Sequence, residues 1–262
     1  MSVCIKQLGN SSEFKFDAPL TEGIIKSRPN RFLMNVEIEG KLEKCHCPTT
    51  GKVGKIIFND VPCLLSKSTN KHRKTIHTVE AFSLDTIDNP KKNWVGINQI
   101  AVNKYVEHFL KAGLLGNLAP VGEMVLREQT LGSSRLDFRV GNTYIEVKMP
   151  LIHLFINPDE ALPNHGLMTL DRFIKHIHEL GNSLDKNHRA ILLTCFVFDA
   201  PKFIPPAPSK YNVEIFEAMN DSMKKGIEVW QLNLSIDKFG VEFLRYFEIT
   251  SIIGRSLEQK TH

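Results

Sequence analysis

The chain has 262 residues, of which 42% are hydrophobic and 24% charged, and its formal net charge is +4. This is ordinary globular material for one large domain or two modest ones, and the mild basicity is compatible with DNA or RNA as a partner. No apolar stretch is long enough to span a bilayer, and five cysteines form no disulfide framework, so we expect a cytoplasmic protein with reduced thiols, no signal peptide and no membrane partner.

The first third of the sequence predicts a small β-barrel. Residues 1–17 are expected to form a loosely held tail. The strands predicted after it are Leu20–Ile25, Arg31–Glu39, Leu42–Cys47, Val61–Ser66 and Thr75–Ser83. Five short strands separated by turn signals are typical of an OB-like closed barrel, a fold that often binds single strands. A polar link around Asn89-Pro90 predicts a barrel domain at 1–85 and a second domain at 86–262.

Two loops of the barrel are candidate contacts for nucleic acid. The loop at 67–74 is dense in cations, and we expect Lys71, Arg73 and Lys74 to contact backbone phosphates. The turn at 49–52 resembles the end of a nucleotide P-loop but lacks the first glycine and the final Ser/Thr. We therefore reject a P-loop and keep Lys52 as a phosphate contact.

The pair Cys45 and Cys47 flanks His46, which is compatible with a zinc site. No second pair follows at zinc-finger spacing, so two buried cysteines are the favoured interpretation.

The second part of the chain alternates helical and strand patterns. Helices are predicted at Asn103–Leu115, Leu167–Ser183 and Asn212–Lys225. Strands are predicted at Val121–Thr130, Arg189–Phe198, Ile227–Leu234 and Phe239–Phe247. A mixed sheet flanked by helices, which is an α/β layer structure, is the expected architecture.

The most informative stretch predicts a β-hairpin. Arg135–Val140 and Thr143–Lys148 alternate apolar and polar residues around the turn Gly141-Asn142. Pairing outward from that turn places Asp137 opposite Glu146. One face is then apolar, formed by Leu136, Phe138, Val140, Ile145 and Val147. The other carries Asp137, Glu146 and Lys148, with Arg135 as a further candidate contact for nucleic acid.

Two carboxylates held opposite each other repel unless one is protonated or a cation lies between them. Mg²⁺ or Mn²⁺ suits such a pair, and an ammonium at Lys148 could orient a metal-bound water, as in a metal-dependent nuclease. The alternative is a solvated face on which Arg135, Arg139 and Lys148 neutralise the acids. The hairpin pattern is short and leaves both interpretations open.

Several further motifs, in order, resemble those of the sugar fermentation stimulation protein A (SfsA) family over nearly the whole chain. They are Cys47-Pro48-Thr49-Thr50-Gly51, Leu64-Leu65-Ser66 with Arg73-Lys74-Thr75, Gly96-Ile97-Asn98, Asn103, Gly132–Phe138 and Ile145–Lys148. The resemblance implies an N-terminal OB-like domain and a PD-(D/E)xK-type nuclease domain. It also implies either of two activities, a DNA/RNA nuclease or a non-catalytic DNA-binding regulator of sugar-utilisation genes.

For individual residues, the resemblance implies metal ligation by Asp137 and Glu146 and a catalytic lysine at Lys148. Glu128 matches a further family acid, and Glu107 on the first helix is a weaker candidate of the same kind. No helix-turn-helix pattern is present, which weighs against base-specific regulation.

One segment departs from the family. Residues 163–169 keep Gly166 but lack the arginine, glutamine and histidine expected there. This departure puts substrate contact from that helix in doubt and leaves a nuclease fold without activity as a third possibility. His165 either replaces the arginine or is simply a histidine at a helix start.

Overall fold

A computed structural model describes residues 12–49, 51–70, 72–151, 168–184, 188–205 and 213–258 of the chain. These residues form two β-sheets with helices packed on the second one. Over those ranges, no helix combines the length and the apolar character that crossing a membrane requires.

The first sheet is the predicted barrel, with strand order β4-β3-β2-β5-β6-β7. Its strands are β2 (Thr21–Asn30), β3 (Leu33–Ile38), β4 (Lys41–His46), β5 (Val61–Lys67), β6 (His77–Ser83) and β7 (Trp94–Gly96). A parallel contact between His46 of β4 and Thr78 of β6 closes the barrel. The inward residues of β3, Met34 and Val36, are fully buried because every second side chain of a strand faces the same side. The expected OB-type barrel is confirmed.

The barrel cysteines are buried, which agrees with the interpretation that the sequence favours over a zinc site. Cys45, Cys47 and Cys63 are free thiols in the barrel core. Burial raises the pKa of Cys45 to about 12, so this thiol is neutral at physiological pH.

The second sheet is mixed, with order β1-β13-β12-β11-β10-β9-β8. Its strands are β1 (Glu13–Lys15), β8 (Val125–Leu131), β9 (Ser134–Val140), β10 (Thr143–Lys148), β11 (Arg189–Phe196), β12 (Glu228–Ile236) and β13 (Gly240–Glu248). β10, β11 and β12 are parallel neighbours, and the remaining pairs are antiparallel. As expected of a strand covered on both faces, β11 is buried along nearly its whole length.

The helices are α1 (Val102–Lys111), α2 (Met168–Ser183), α3 (Val213–Lys224) and α4 (Thr250–Glu258). Ile177 and Leu180 of α2 pack in one cluster with Phe216 of α3 and Ile253 of α4. α1 belongs to a separate cluster that also contains the barrel core, so barrel and mixed sheet share one hydrophobic interior. The α/β layer architecture is confirmed.

Three features differ from expectation. Residues 13–15, assigned to a loose tail, form β1 and pair with β13, where Glu13 lies opposite Glu242. Helix α4 was not expected. Leu136 does not share the cluster of Phe138 but belongs to the cluster that contains Tyr144 and Leu180. This change of side coincides with a distortion of β8 at Glu128, whose φ is +50°.

The junction between barrel and mixed sheet contains a buried carboxylate. Glu80 of β6 accepts hydrogen bonds from Ser66 Oγ at 2.5 Å and from Asn98 Nδ2 at 2.7 Å. Burial raises the pKa of Glu80 above its usual value despite these bonds. The Oδ1 of Asn98 accepts hydrogen bonds from the backbone N–H groups of Ile100 and Ala101, which directly precede α1. This junction therefore fixes the start of α1. The predicted domain boundary at residue 85 stays a prediction.

Candidate active site

The β9–β10 hairpin has the predicted register near its turn, with Val140 opposite Thr143 and Phe138 opposite Ile145. One residue further from the turn, the side chain of Asp137 contacts β10. Its Oδ2 accepts a hydrogen bond from the backbone N–H of Val147 at 2.8 Å. The Asp137 carboxylate is thereby anchored beside the strand that carries Glu146 and Lys148.

Asp137 is held from two sides. Its other oxygen, Oδ1, accepts a hydrogen bond from Asn103 Nδ2 of α1 at 2.7 Å. Burial, and then the like charge of Glu146, raise the pKa of Asp137, although the bonds from Val147 and Asn103 oppose this. The negative charge of Glu146 therefore disfavours ionisation of Asp137.

Glu146 is almost completely buried, with 1% of its surface exposed. Its Oε1 accepts from Lys148 Nζ at 2.5 Å and lies 2.6 Å from His176 Nδ1 of α2. Burial alone would raise its pKa, but the His176 hydrogen bond and the Lys148 charge outweigh burial, so the pKa of Glu146 is held below its usual value. Since a carboxylate only accepts, His176 carries a proton on Nδ1.

The second oxygen of Glu146 is different. Glu146 Oε2 is buried and has no hydrogen-bond partner among the residues that the structure describes. Buried polar atoms are nearly always paired, so an unpaired carboxylate oxygen next to a second acid is a candidate ligand position for a cation.

The hairpin face is not a solvated one, because Glu146 lies beneath α2. Lys148 lies with its Nζ 5.8 Å from the centre of the Phe173 ring of α2. The arginines expected on the alternative interpretation contact other groups: Arg135 pairs with Glu128, and Arg139 donates to the Gly141 carbonyl.

The two additional candidate acids, Glu128 and Glu107, make no described contact with Asp137 or Glu146. Glu128 of β8 is exposed and forms an ion pair of 3.1 Å with Arg135. Glu107 of α1 is held by Lys111 at 2.7 Å and by Arg127 at 3.2 Å. The α1 residue that contacts Asp137 is Asn103, one helical turn before Glu107. Within the described ranges, no group of three or more His, Cys, Asp or Glu side chains is arranged so that it could hold a metal ion.

The predicted phosphate contacts are on the surface of the barrel and hairpin. Arg73 and Lys74 are exposed, and Arg73 donates to Thr78 Oγ1 at 3.4 Å. Lys52 is exposed and lines a groove with Arg28, whereas Arg135 is largely exposed despite its pairing with Glu128. Lys71 lies outside the described residues, as do His165 and Gly166.

Two residues of the site were missed as functional candidates. His176 lies on α2, the helix whose start lacks the histidine that the family resemblance predicts. For Asn103 on α1, the sequence predicts only that it begins a helix. The signal for Asn103 was its place in a matching motif. His176 gave no signal in the sequence, since its contact with Glu146 spans 30 positions.

Comparison with known proteins agrees with this arrangement of barrel and mixed sheet. A model described as the SfsA N-terminal OB domain matches residues 27–97, and one described as the sugar fermentation stimulation protein RE domain matches residues 100–240. The chain belongs to the SfsA family.

Relatives of this family cover most of the chain. A sugar fermentation stimulation protein homolog of Marinomonas sp. is 28% identical over 88% of this chain and 88% of its own. One from Synechococcus sp. is 28% identical over 87% of this chain and 92% of its own. The solved structure of Pyrococcus furiosus SfsA in complex with Ca²⁺ has a TM-score of 0.70 at 20% identity, and covers 89% of this chain and 96% of its own. This likeness establishes the shared fold.

Proposed function

We propose that this chain is a metal-dependent nuclease that hydrolyses phosphodiester bonds of DNA or RNA with Mg²⁺ or Mn²⁺. The observation that carries the proposal is the buried acid pair, in which Glu146 Oε2 lacks any partner in the described part of the chain. The raised pKa of Asp137 supports it, because the like charge of Glu146 contributes to that shift and a cation would remove the repulsion.

The residues present fit such a metal. Mg²⁺ commonly keeps several water ligands and is bound by one or two carboxylates, so Asp137 and Glu146 are sufficient protein ligands. The related structure of Pyrococcus furiosus SfsA is a complex with Ca²⁺, which supports a hard divalent cation in this fold. When bound, such a metal polarises a phosphoryl oxygen and lowers the pKa of a bound water.

The protein's own groups have separate roles in this proposal. Asn103 and the Val147 N–H fix the Asp137 carboxylate, while His176 and Lys148 fix Glu146 through its Oε1. This leaves Oε2 for the metal. Lys148 is a third exposed at its side chain, so its ammonium can orient a water and stabilise the charge that develops on the phosphate in the transition state.

Removal of either acid tests the proposal. We expect Asp137→Ala and Glu146→Gln each to lose several kcal/mol of transition-state stabilisation, which lowers the cleavage rate at least about a hundredfold. Each variant should also lose Mn²⁺ binding, measured by calorimetry. Glu217→Gln, an exposed acid on α3, is the matched control and should cut at the wild-type rate. Circular dichroism establishes that each variant is folded.

The competing function, a non-catalytic DNA-binding regulator, gives a different result in the same assay. Wild-type protein that binds one sequence at least about a thousandfold more tightly than random DNA, and that cuts neither DNA nor RNA in any divalent metal, would refute the nuclease.

A further inference from the structure

A groove on the barrel lies apart from the acid pair and has no role in the function proposed above. It encloses about 630 Å³ and is lined by Arg28 and residues 52–58, the loop between β4 and β5. We refer to these residues as the barrel groove. It differs from the basic loop at 67–74, which connects β5 and β6.

The barrel groove is positively charged. Arg28, Lys52 and Lys55 line it, and in the described ranges no acidic side chain pairs with Arg28 or Lys52. Arg28 donates to the carbonyl oxygens of Thr49 at 2.8 Å and Gly51 at 2.9 Å, so its guanidinium is fixed at the wall of the groove. A fixed, uncompensated cation attracts an anion without first losing an ion pair.

The barrel groove also offers apolar surface to solvent. Ile57 is 84% exposed, while its neighbour Phe58 is buried against Phe82 with ring centroids 5.4 Å apart. Cations beside exposed apolar surface suit a single-stranded nucleic acid, whose phosphates need charge and whose unstacked bases need an apolar contact. A duplex keeps its bases stacked inside and gains only the phosphate contacts.

Hydrogen bonds connect this groove to the candidate active site. Gly54 N donates to the carbonyl of Leu151 at 3.0 Å. Thr49 Oγ1 donates to Gln99 Oε1 at 2.9 Å, and Gln99 Nε2 donates to the carbonyl of Met149 at 2.9 Å. Met149 directly follows Lys148, and Leu151 is three residues after Lys148. Three residues of fully extended chain span only about 10 Å, so these contacts lie near Lys148. One strand of nucleic acid could therefore contact both places.

We propose that the barrel groove binds a single-stranded segment of the same nucleic acid whose phosphodiester lies at Asp137 and Glu146. The inference rests on the proposed function and adds the substrate class: single strands, or duplexes with a single-stranded end, are bound in preference to continuous duplex. Lys52 and Lys55 contact the phosphates, and Ile57 contacts a base.

The test compares binding of a fluorescent single-stranded oligonucleotide and of its duplex by anisotropy, in EDTA, across a salt series. Lys52→Ala with Lys55→Ala should weaken single-strand binding at least about tenfold and reduce the salt slope by roughly 1.4, at about 0.7 for each lost phosphate contact. Lys202→Ala with Lys224→Ala removes the same charge from exposed positions outside the groove and should leave the slope unchanged. Ile57→Ser should weaken single-strand binding with no change in slope, because no charge is lost.

Other outcomes overturn the inference. A groove double variant with wild-type affinity and slope, or one that loses duplex and single-strand binding equally, excludes this groove as a single-strand site. Displacement of the oligonucleotide by a mononucleotide or inorganic phosphate at equal phosphate concentration would show a small-anion pocket instead.

The cleavage assay separates the two proposals. Wild-type protein that cuts while the groove variants bind normally refutes the groove and leaves the nuclease intact. Loss of single-strand binding in the groove variants, with no cutting by wild type in Mg²⁺ or Mn²⁺, supports the groove as a binding site and refutes the nuclease.

Discussion

Glu80 at the junction of barrel and mixed sheet is the residue at which a single substitution should stabilise the protein. Glutamine keeps the shape of glutamate and removes its charge. Its Oε1 can accept the hydrogen bond from Asn98 Nδ2, and its Nε2 can donate to Ser66 Oγ, whose hydroxyl also accepts. Glu80→Gln therefore retains both contacts while it removes a carboxylate that is only 7% exposed.

The sign of the stability change caused by Glu80→Gln follows from the pKa of Glu80. Burial raises the pKa of Glu80 in the folded protein, and the nearby Lys104 and Arg73 charges only partly oppose this. Below the usual glutamic acid pKa of about 4.3 the wild-type side chain is neutral in both states, so the variant gains nothing. As the pH rises from there through the raised pKa, the wild type loses stability that the variant keeps. Above it, we expect a constant gain on the order of 1 kcal/mol, or about 2–4 °C in Tm.

Urea unfolding in EDTA at several values between pH 4 and 8 measures this difference. Glu80→Ala supplies the contrast, because it leaves the partly buried Asn98 Nδ2 without its acceptor and should destabilise by about 1–3 kcal/mol at pH 4. This loss should shrink as the pH rises, since alanine also removes the buried charge. If Glu80→Gln destabilises as much as Glu80→Ala at pH 8, or if its gain does not depend on pH, then burial of the charge does not control this site.

Two further substitutions test other parts of the molecule. Lys148→Ala should slow cleavage at least about a hundredfold yet leave Mn²⁺ binding measurable by calorimetry, because the lysine contacts Glu146 and is not a metal ligand; loss of metal binding would instead assign it to the structure of the hairpin. Gly132→Ala should lower the free energy of unfolding by about 1–3 kcal/mol, because Gly132 has a φ of +57° and an added Cβ would push the Glu179 carboxylate away from its hydrogen bonds with Ser133 N and Oγ. Gly40→Ala, also at positive φ but with nothing near its Cβ, should cost less, and equal losses would show that the contact with Glu179 is unimportant.

Much of the fold could be predicted because its signals are local. The barrel strands alternate apolar and polar residues, and α2 repeats its apolar residues at helical spacing. The turn Gly141-Asn142 sets the hairpin register, which is why Glu146 and Lys148 could be placed on one face from the sequence. These features depend on residues within a few positions of one another.

The features that were missed depend on distant parts of the chain. β1 has only three residues and exists because β13 pairs with it, so its own sequence carries no strand pattern. The side change at Leu136 coincides with the positive φ of Glu128 on the neighbouring strand, and strict alternation within β9 cannot anticipate it. His176 reaches Glu146 only because α2 folds back over the hairpin.

The pairing of β1 with β13 interlocks the two parts of the chain. A segment that precedes the barrel completes the edge of the mixed sheet, with Phe14 packed against Tyr105 of α1 at 5.1 Å between ring centroids. During synthesis the barrel can close long before β13 exists, whereas β1 must wait for nearly the whole chain. A fragment that starts after the barrel would lack β1 and leave the β13 edge unpaired, open to pairing with a second fragment. A single cut in the chain therefore cannot divide it into the barrel and a complete mixed sheet.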